Sequence, residues 1–168
     1  FTNLERANCP GLSEEQLSKM LNFCVVGGGP TGIETAAEIN EVLKREVKHY
    51  FPNLAKFVRI TVIQAADHIL NAFDQRITNY VEQRFDREGI KVITNSRVVR
   101  VSPTAVTVRD KSKNEYEIPY GLCLWATGLQ MHPLVGVLTS KISEQTHKKS
   151  LEVNQYLQVE GINKANVF

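Results

Sequence analysis

Glycines at Gly27, Gly29 and Gly32 spell G-x-G-x-x-G within Cys24-Val25-Val26-Gly27-Gly28-Gly29-Pro30-Thr31-Gly32-Ile33-Glu34. Alone, this hexapeptide carries little information. Its setting carries more: the apolar run Phe23-Cys24-Val25-Val26 precedes it, and an amphipathic pattern through Ile33, Ala36, Ala37, Leu43 and Val47 follows. That context is a strand feeding a tight turn into a helix, whose free N–H groups and partial positive charge suit a pyrophosphate. Gly27 permits the sharp turn. Gly29 lacks the Cβ that would hold a pyrophosphate off the backbone, and Gly32 lets helix and strand pack closely. Pro30 suits the first helical turn, which does not need its missing N–H. Residues 27–32, with Gly28 and Thr31 among them, are the expected cradle for a dinucleotide; a structural turn without a ligand is the plainer alternative. No Gly-Lys-Ser/Thr follows, which excludes the mononucleotide phosphate loop.

In this motif the second strand usually ends in a carboxylate that binds the ribose 2′-hydroxyl. Here Val58-Arg59-Ile60-Thr61-Val62-Ile63 ends at Gln64, followed by Ala65. Gln64 lies 32 residues beyond Gly32, against about 20 in the simplest units. Residues 48–57, with Pro52, account for the surplus and read as an added turn or second short helix. A carboxylate at this place would repel a 2′-phosphate by on the order of a few kcal/mol. Gln64 removes that repulsion and can donate through its amide. Use of both NADH and NADPH, tilted toward NADPH, is the expectation; NADH alone, with Gln64 on its 2′-hydroxyl, is the alternative. The cation for a phosphate is less obvious, since Ala65, Ala66 and Asp67 follow, and His68 or Arg97 are the candidates.

Several elements must position these groups. Ser13 and Gln16 resemble a capping box opening a short helix through Leu17, Met20 and Leu21. Asp74 caps a helix through Ile77, Tyr80, Val81 and Phe85 that Gly89 closes, and Ile90-Lys91-Val92-Ile93 is a third strand. The period then changes to three short antiparallel strands, starting at Arg97, Ala105 and Glu115. Leu122-Cys123-Leu124-Trp125-Ala126 is a further buried run, ended by Thr127-Gly128. Tyr156-Leu157-Gln158-Val159 reads as a strand. The order implies an α/β fold, a Rossmann-like βαβ dinucleotide-binding domain with an inserted antiparallel meander. Residues 1–21 read as a linker and short helix, 22–135 as the NAD(P)H-binding domain, and 136–168 as a return segment.

The chain has 168 residues, 42% of them hydrophobic, with 20 basic against 18 acidic side chains and a net charge of +2. No block of one sign stands out, which argues against nucleic acid as a partner. The basic runs around Lys44 and at His147-Lys148-Lys149 read as solvated faces. Cys9, Cys24 and Cys123 form no Cys-x-x-Cys pair; Cys24 and Cys123 read as buried small hydrophobes. The 4 histidines are scattered without metal-ligand spacing. No apolar run approaches the roughly 20 residues of a membrane span, and both ends of the sequence look cut.

These segments carry a resemblance. The runs Val25 to Glu34, Ile60 to Leu70, Ile118-Pro119-Tyr120-Gly121 and Trp125-Ala126-Thr127-Gly128 resemble the type II (alternative, rotenone-insensitive) NAD(P)H:quinone oxidoreductases of mitochondria, the external plant and fungal members most. The resemblance implies a two-domain FAD/NAD(P)-binding flavoprotein, of which this chain is the inserted NAD(P)H domain. Hydride would pass from NADH or NADPH to FAD, held by regions outside the chain, and electrons on to ubiquinone in the respiratory chain. It also implies a peripheral place on the mitochondrial inner membrane, anchored through an absent C-terminal region, and admits a homodimer of the parent. Carried over residue by residue, Glu34 would sit at the nicotinamide–flavin junction as the catalytic candidate. Ala126, Thr127 and Gly128 would border the nicotinamide ribose. Apart from the resemblance, Val98 is a candidate to pack on the adenine. Gln64 departs from the Glu of NADH-preferring members. No EF-hand pattern is present, so calcium control is not supported.

Plainer roles stand beside several of these. Glu34 also favours the helix dipole, Val98 could fill core, and Trp125 reads as core packing. Another flavoprotein reductase, such as one feeding ferredoxin, or a nucleotide-sensing module without turnover remain open alternatives.

Overall fold

The computed structural model describes residues 1–128, 130–147 and 150–162. It divides into two compact units, Phe1–Thr127 and Gly128–Phe168. The first unit holds two helices, α1 (Thr2–Ala7) and α2 (Glu14–Met20), then β1 (Asn22–Val26), α3 (Pro30–Tyr50), a 3₁₀ helix (Pro52–Phe57) and β2 (Arg59–Ile63). Next come α4 (Gln75–Glu88), β3 (Ile90–Ile93), the meander β4 (Arg97–Val101), β5 (Ala105–Arg109) and β6 (Glu115–Pro119), and β7 (Leu122–Trp125).

Strands β3-β2-β1-β7 form a parallel sheet and β4-β5-β6 an antiparallel one. Every residue of β1 is buried, as expected of a central parallel strand covered on both faces. On one face Phe23, Val25, Ile60 and Val62 pack with Ile33, Ala36, Leu43 and Val47 of α3 and Phe85 of α4. On the other, Val26 and Ile63 meet Val106 and Val108 of β5. Asn22 is buried and fully used: its Nδ2 donates to the Pro119 carbonyl (2.7 Å) and its Oδ1 accepts from Thr61 Oγ1 (3.0 Å).

Local chemistry explains the element ends. Ser13 and Gln16 make the expected capping box, Asp74 Oδ1 accepts from Arg76 N–H, and Gly89 closes α4 with φ 77°. The surplus before β2 is resolved: α3 continues to Tyr50, and Pro52, which bars Phe51 from the helical region, starts the 3₁₀ turn. Cys24 is fully buried, and burial, with Cys123 beside it, pushes its thiol up to about 12. Cys123 pairs with Cys24 across β7 and β1, is half-buried and is raised by burial too; Cys9 is exposed.

Two elements differ from expectation. Residues 2–7, read as a polar linker, form α1, which buries Leu4 and Ala7 and anchors Asn3 Nδ2 on the Gly121 carbonyl (2.7 Å). One helical turn is too short for a periodic signal.

The second unit holds α5 (Pro133–Lys141). The strand expected at 156–159 is absent. Asn154 Oδ1 accepts from the N–H groups of Tyr156 and Gln158 and folds the chain into a turn, leaving one antiparallel bridge, Val153 to Val159. Lys148, Lys149 and the apolar end of the chain from residue 163 lie outside the described residues.

Candidate functional site

The sheet order places β2 and β7 on opposite sides of β1, so the chain reverses direction there. Open α/β sheets bind ligands at such a switch point, beyond the carboxyl ends of the strands. The glycine turn leaves β1 at this place. Gly27 has φ 116°, and a Cβ there would stand 2.6 Å from the Ala126 carbonyl oxygen at the end of β7. A Cβ on Gly32 would come within 1.9 Å of the Gly27 carbonyl oxygen. Gly29 differs, for a Cβ there meets nothing within 4 Å. Among the described residues, the N–H groups of Gly29, Thr31 and Gly32 donate to no backbone acceptor. Pro30 stands at the first position of α3 and has no N–H to place.

Gly28 is occupied by protein. Its N–H donates to Gln64 Oε1 (3.1 Å) and its carbonyl accepts from Leu70 N–H (2.7 Å). A Cβ on it would lie 2.8 Å from Ile69 Cγ2. Gln64 completes a clamp, with its Nε2 donating to the His68 carbonyl (3.2 Å) and its backbone tied to β3 and to Ser96. Leu70 takes the left-handed region (φ 50°) to close this loop. The clamp thus uses part of the amide expected to meet a ribose; one Nε2 hydrogen remains. His68 turns its ring to Glu82 (Nδ1 to Oε1, 3.2 Å).

Beside the clamp lies a cavity of about 270 Å³ lined by Val26, Gly27, Gln64, Arg97, Val98 and Trp125, with Ala65 and Thr127 at its rim. Of the two candidate cations, Arg97 lines this space and His68 does not. Arg97 is exposed and makes no ion pair among the described residues. Val98 is half-buried, packing on the second core while lining the cavity, so both readings of it meet there. Trp125, expected in the core, is 55% exposed. It is the last residue of β7, where the sheet core has ended; its position just before Thr127-Gly128 was the sequence signal for a ligand-side residue. Glu34 is exposed one turn into α3 and makes no ion pair among the described residues. Gly128 opens the second unit with φ 81°. Among the described residues no group of three His, Cys, Asp or Glu could hold a metal ion, and no helix is long and apolar enough to cross a membrane.

A cleft at a switch point, lined in part by a glycine turn, is the arrangement of a Rossmann-like dinucleotide-binding fold. The chain belongs to the pyridine nucleotide-disulphide oxidoreductase family, whose model matches residues 3–168. It is 42% identical over 158 residues to the external alternative NAD(P)H-ubiquinone oxidoreductase B1 of Arabidopsis thaliana mitochondria, a match covering 94% of this chain and 28% of that protein. It is 34% identical to the mitochondrial external NADH-ubiquinone oxidoreductase 2 of Saccharomyces cerevisiae, covering 94% and 29%. The structure of NDH2 from Plasmodium falciparum in complex with NADH superposes with a TM-score of 0.84 at 32% identity, covering 99% of this chain and 34% of that one. The chain therefore spans under a third of the length of the curated relatives named here.

Proposed function

We propose that this chain is the nucleotide-holding domain of a mitochondrial flavoprotein that oxidises NADH or NADPH and reduces ubiquinone. The observation that carries the reading is the division of labour in the glycine turn. Gly29, with open space where a Cβ would stand, and the unused N–H groups of Gly29, Thr31 and Gly32 suit a pyrophosphate at the mouth of α3. The fit extends to both ends of a dinucleotide. Gln64, Ala65 and Val98 flank the adenosine side, and Ala126, Thr127 and Glu34 the nicotinamide side.

When bound, NAD(P)H would supply a hydride and FAD the redox chemistry that links it to the quinone. This chain's own work is binding and orientation. The α3 N-terminus neutralises the pyrophosphate, and the Gly27–Gly32 contact fixes the direction in which the turn presents its donors.

NADPH is accepted beside NADH in this reading. The neutral Gln64 presents no carboxylate to a 2′-phosphate, and Arg97 on the same cavity, without an ion pair among the described residues, supplies a cation. Quinone reduction by the full-length protein with each nucleotide tests the function. A colourless protein that binds nucleotide without turnover would overturn it in favour of a sensor. Titrating both nucleotides against wild type and Gln64→Glu tests the preference, and equal NADPH affinity in the two proteins rejects it.

A further inference from the structure

The geometry points to Trp125 as the aromatic wall on which the adenine of the dinucleotide rests, a role that depends on the nucleotide-site reading above. Trp125 closes β7 and shares the meander-facing side of that strand with Cys123, two residues earlier. The apolar cluster on that side consists of Val26, Ile63, Val106 and Val108, with Val98 and Cys123 against it, and Trp125 is not a member. The residue is instead 55% exposed and lines the cavity of about 270 Å³. The indole N–H makes no hydrogen bond among the described residues.

A purine is flat and apolar on its faces and polar along its edges. The cavity has the same distribution. Val26, Ile63, Val98 and the indole are its apolar surfaces, while Gln64, Ser96 and Arg97 provide polar groups. The direction of the ligand follows from the turn. The pyrophosphate belongs at the mouth of α3, and Gln64 at the end of β2 marks the adenosine ribose. The base beyond that ribose enters the space bounded by Val98 and Trp125. Stacking on an aromatic ring tolerates either a 2′-hydroxyl or a 2′-phosphate on the ribose, so this wall binds the adenine base, which NADH and NADPH share.

Trp125 is the single tryptophan of the chain, so its emission reports on this wall alone. The experiment titrates the chain with ADP, NADH and nicotinamide mononucleotide, following tryptophan emission and binding heat in parallel. ADP and NADH should quench Trp125, and nicotinamide mononucleotide should not. Trp125→Ala should weaken ADP binding by roughly 5- to 100-fold, the range seen when a base loses its aromatic platform. Trp125→Phe should stay within about threefold of wild type, since a smaller ring still offers a π-face. Far-UV circular dichroism establishes that both variants fold; should the alanine variant fail to fold, emission of the wild type and affinity of the phenylalanine variant still decide. Calorimetric binding of ADP with unchanged emission overturns the assignment, as does undiminished affinity in a folded Trp125→Ala. Absence of dinucleotide binding in the wild type would overturn the nucleotide-site reading itself.

Discussion

The two shoulders of the cavity are built differently. At the end of β2, nearly every polar group is used on the protein itself. Gln64 holds the Gly28 N–H and the His68 carbonyl, Leu70 holds the Gly28 carbonyl, and the Asn95 N–H reaches the Ala66 carbonyl (2.7 Å). At the end of β7, one backbone bond, from Ala126 N–H to the Val26 carbonyl (2.8 Å), marks the last tie. On either side of it in the chain, Trp125 and Thr127 line the cavity with no side-chain hydrogen bond among the described residues. The contrast teaches a rule for such sites: one wall is preorganised so that its shape is fixed before a ligand arrives, while the other keeps its surface for the ligand. The glycine turn joins the two, and its glycines divide along the same line.

The largest effect should come from the glycine on which both shoulders depend. Gly32→Ala puts a Cβ within 1.9 Å of the Gly27 carbonyl oxygen. Backbone on both sides cannot give way cheaply, so we expect a loss of about 3 kcal/mol or more, read as a lowered urea midpoint. Wild-type stability in this variant would break the comparison at its root.

Gly29→Ala should separate folding from binding. Gly29 has φ −78° and ψ 177°, which alanine adopts freely, and its Cβ would meet nothing within 4 Å. Unfolding should move by no more than about 0.5 kcal/mol, the loss of a modest glycine cap partly offset by a stiffer unfolded chain. The new methyl occupies the space a pyrophosphate needs, so dinucleotide affinity should fall on the order of 10- to 100-fold by calorimetry. If affinity survives, the open face of the turn is not the ligand face.

These two glycines also mark how much could be read from the sequence. The motif, its strand and its helix were legible because hydrophobic period and turn chemistry are local, and so was the meander between Arg97 and Pro119. The clamp was not. That Gln64 would hold Gly28, 36 residues earlier in the chain, depends on Ile69 and Leu70 folding back under the turn, a tertiary fact without a periodic signature. Trp125 was misplaced for a related reason. An apolar run ending a strand looks the same whether its last residue is inside the sheet or just past its covered end. Asn154 stopped the expected strand at 156–159 through side-chain bonds to Tyr156 and Gln158, which override the β-propensity of the run.

A smaller effect tests the tied shoulder directly. Gln64→Glu keeps an acceptor for the Gly28 N–H but replaces the Nε2 donor with an oxygen facing the His68 carbonyl. One hydrogen bond is lost and a repulsion replaces it, so stability should fall by about 1–2 kcal/mol. Hydrogen exchange at Leu70, whose N–H bonds the Gly28 carbonyl, should speed up together with that loss. An unchanged Leu70 exchange rate would show that the β2 shoulder holds its shape without the glutamine.

The smallest expected effect concerns the outer edge of the same shoulder. His68 Nδ1 and Glu82 Oε1 are 3.2 Å apart, with side chains 42% and 28% exposed. Solvent screens such a pair, and the other bond to this carboxylate, from the Ile69 N–H, is long at 3.4 Å. Ile69 itself is fully buried against the turn, so packing rather than the ion pair sets its place. Glu82→Gln should therefore cost at most about 0.5 kcal/mol, while dinucleotide affinity stays within about twofold of wild type. A larger loss of affinity would place the edge of the shoulder, and not its clamping glutamine and buried isoleucine, in control of the glycine turn.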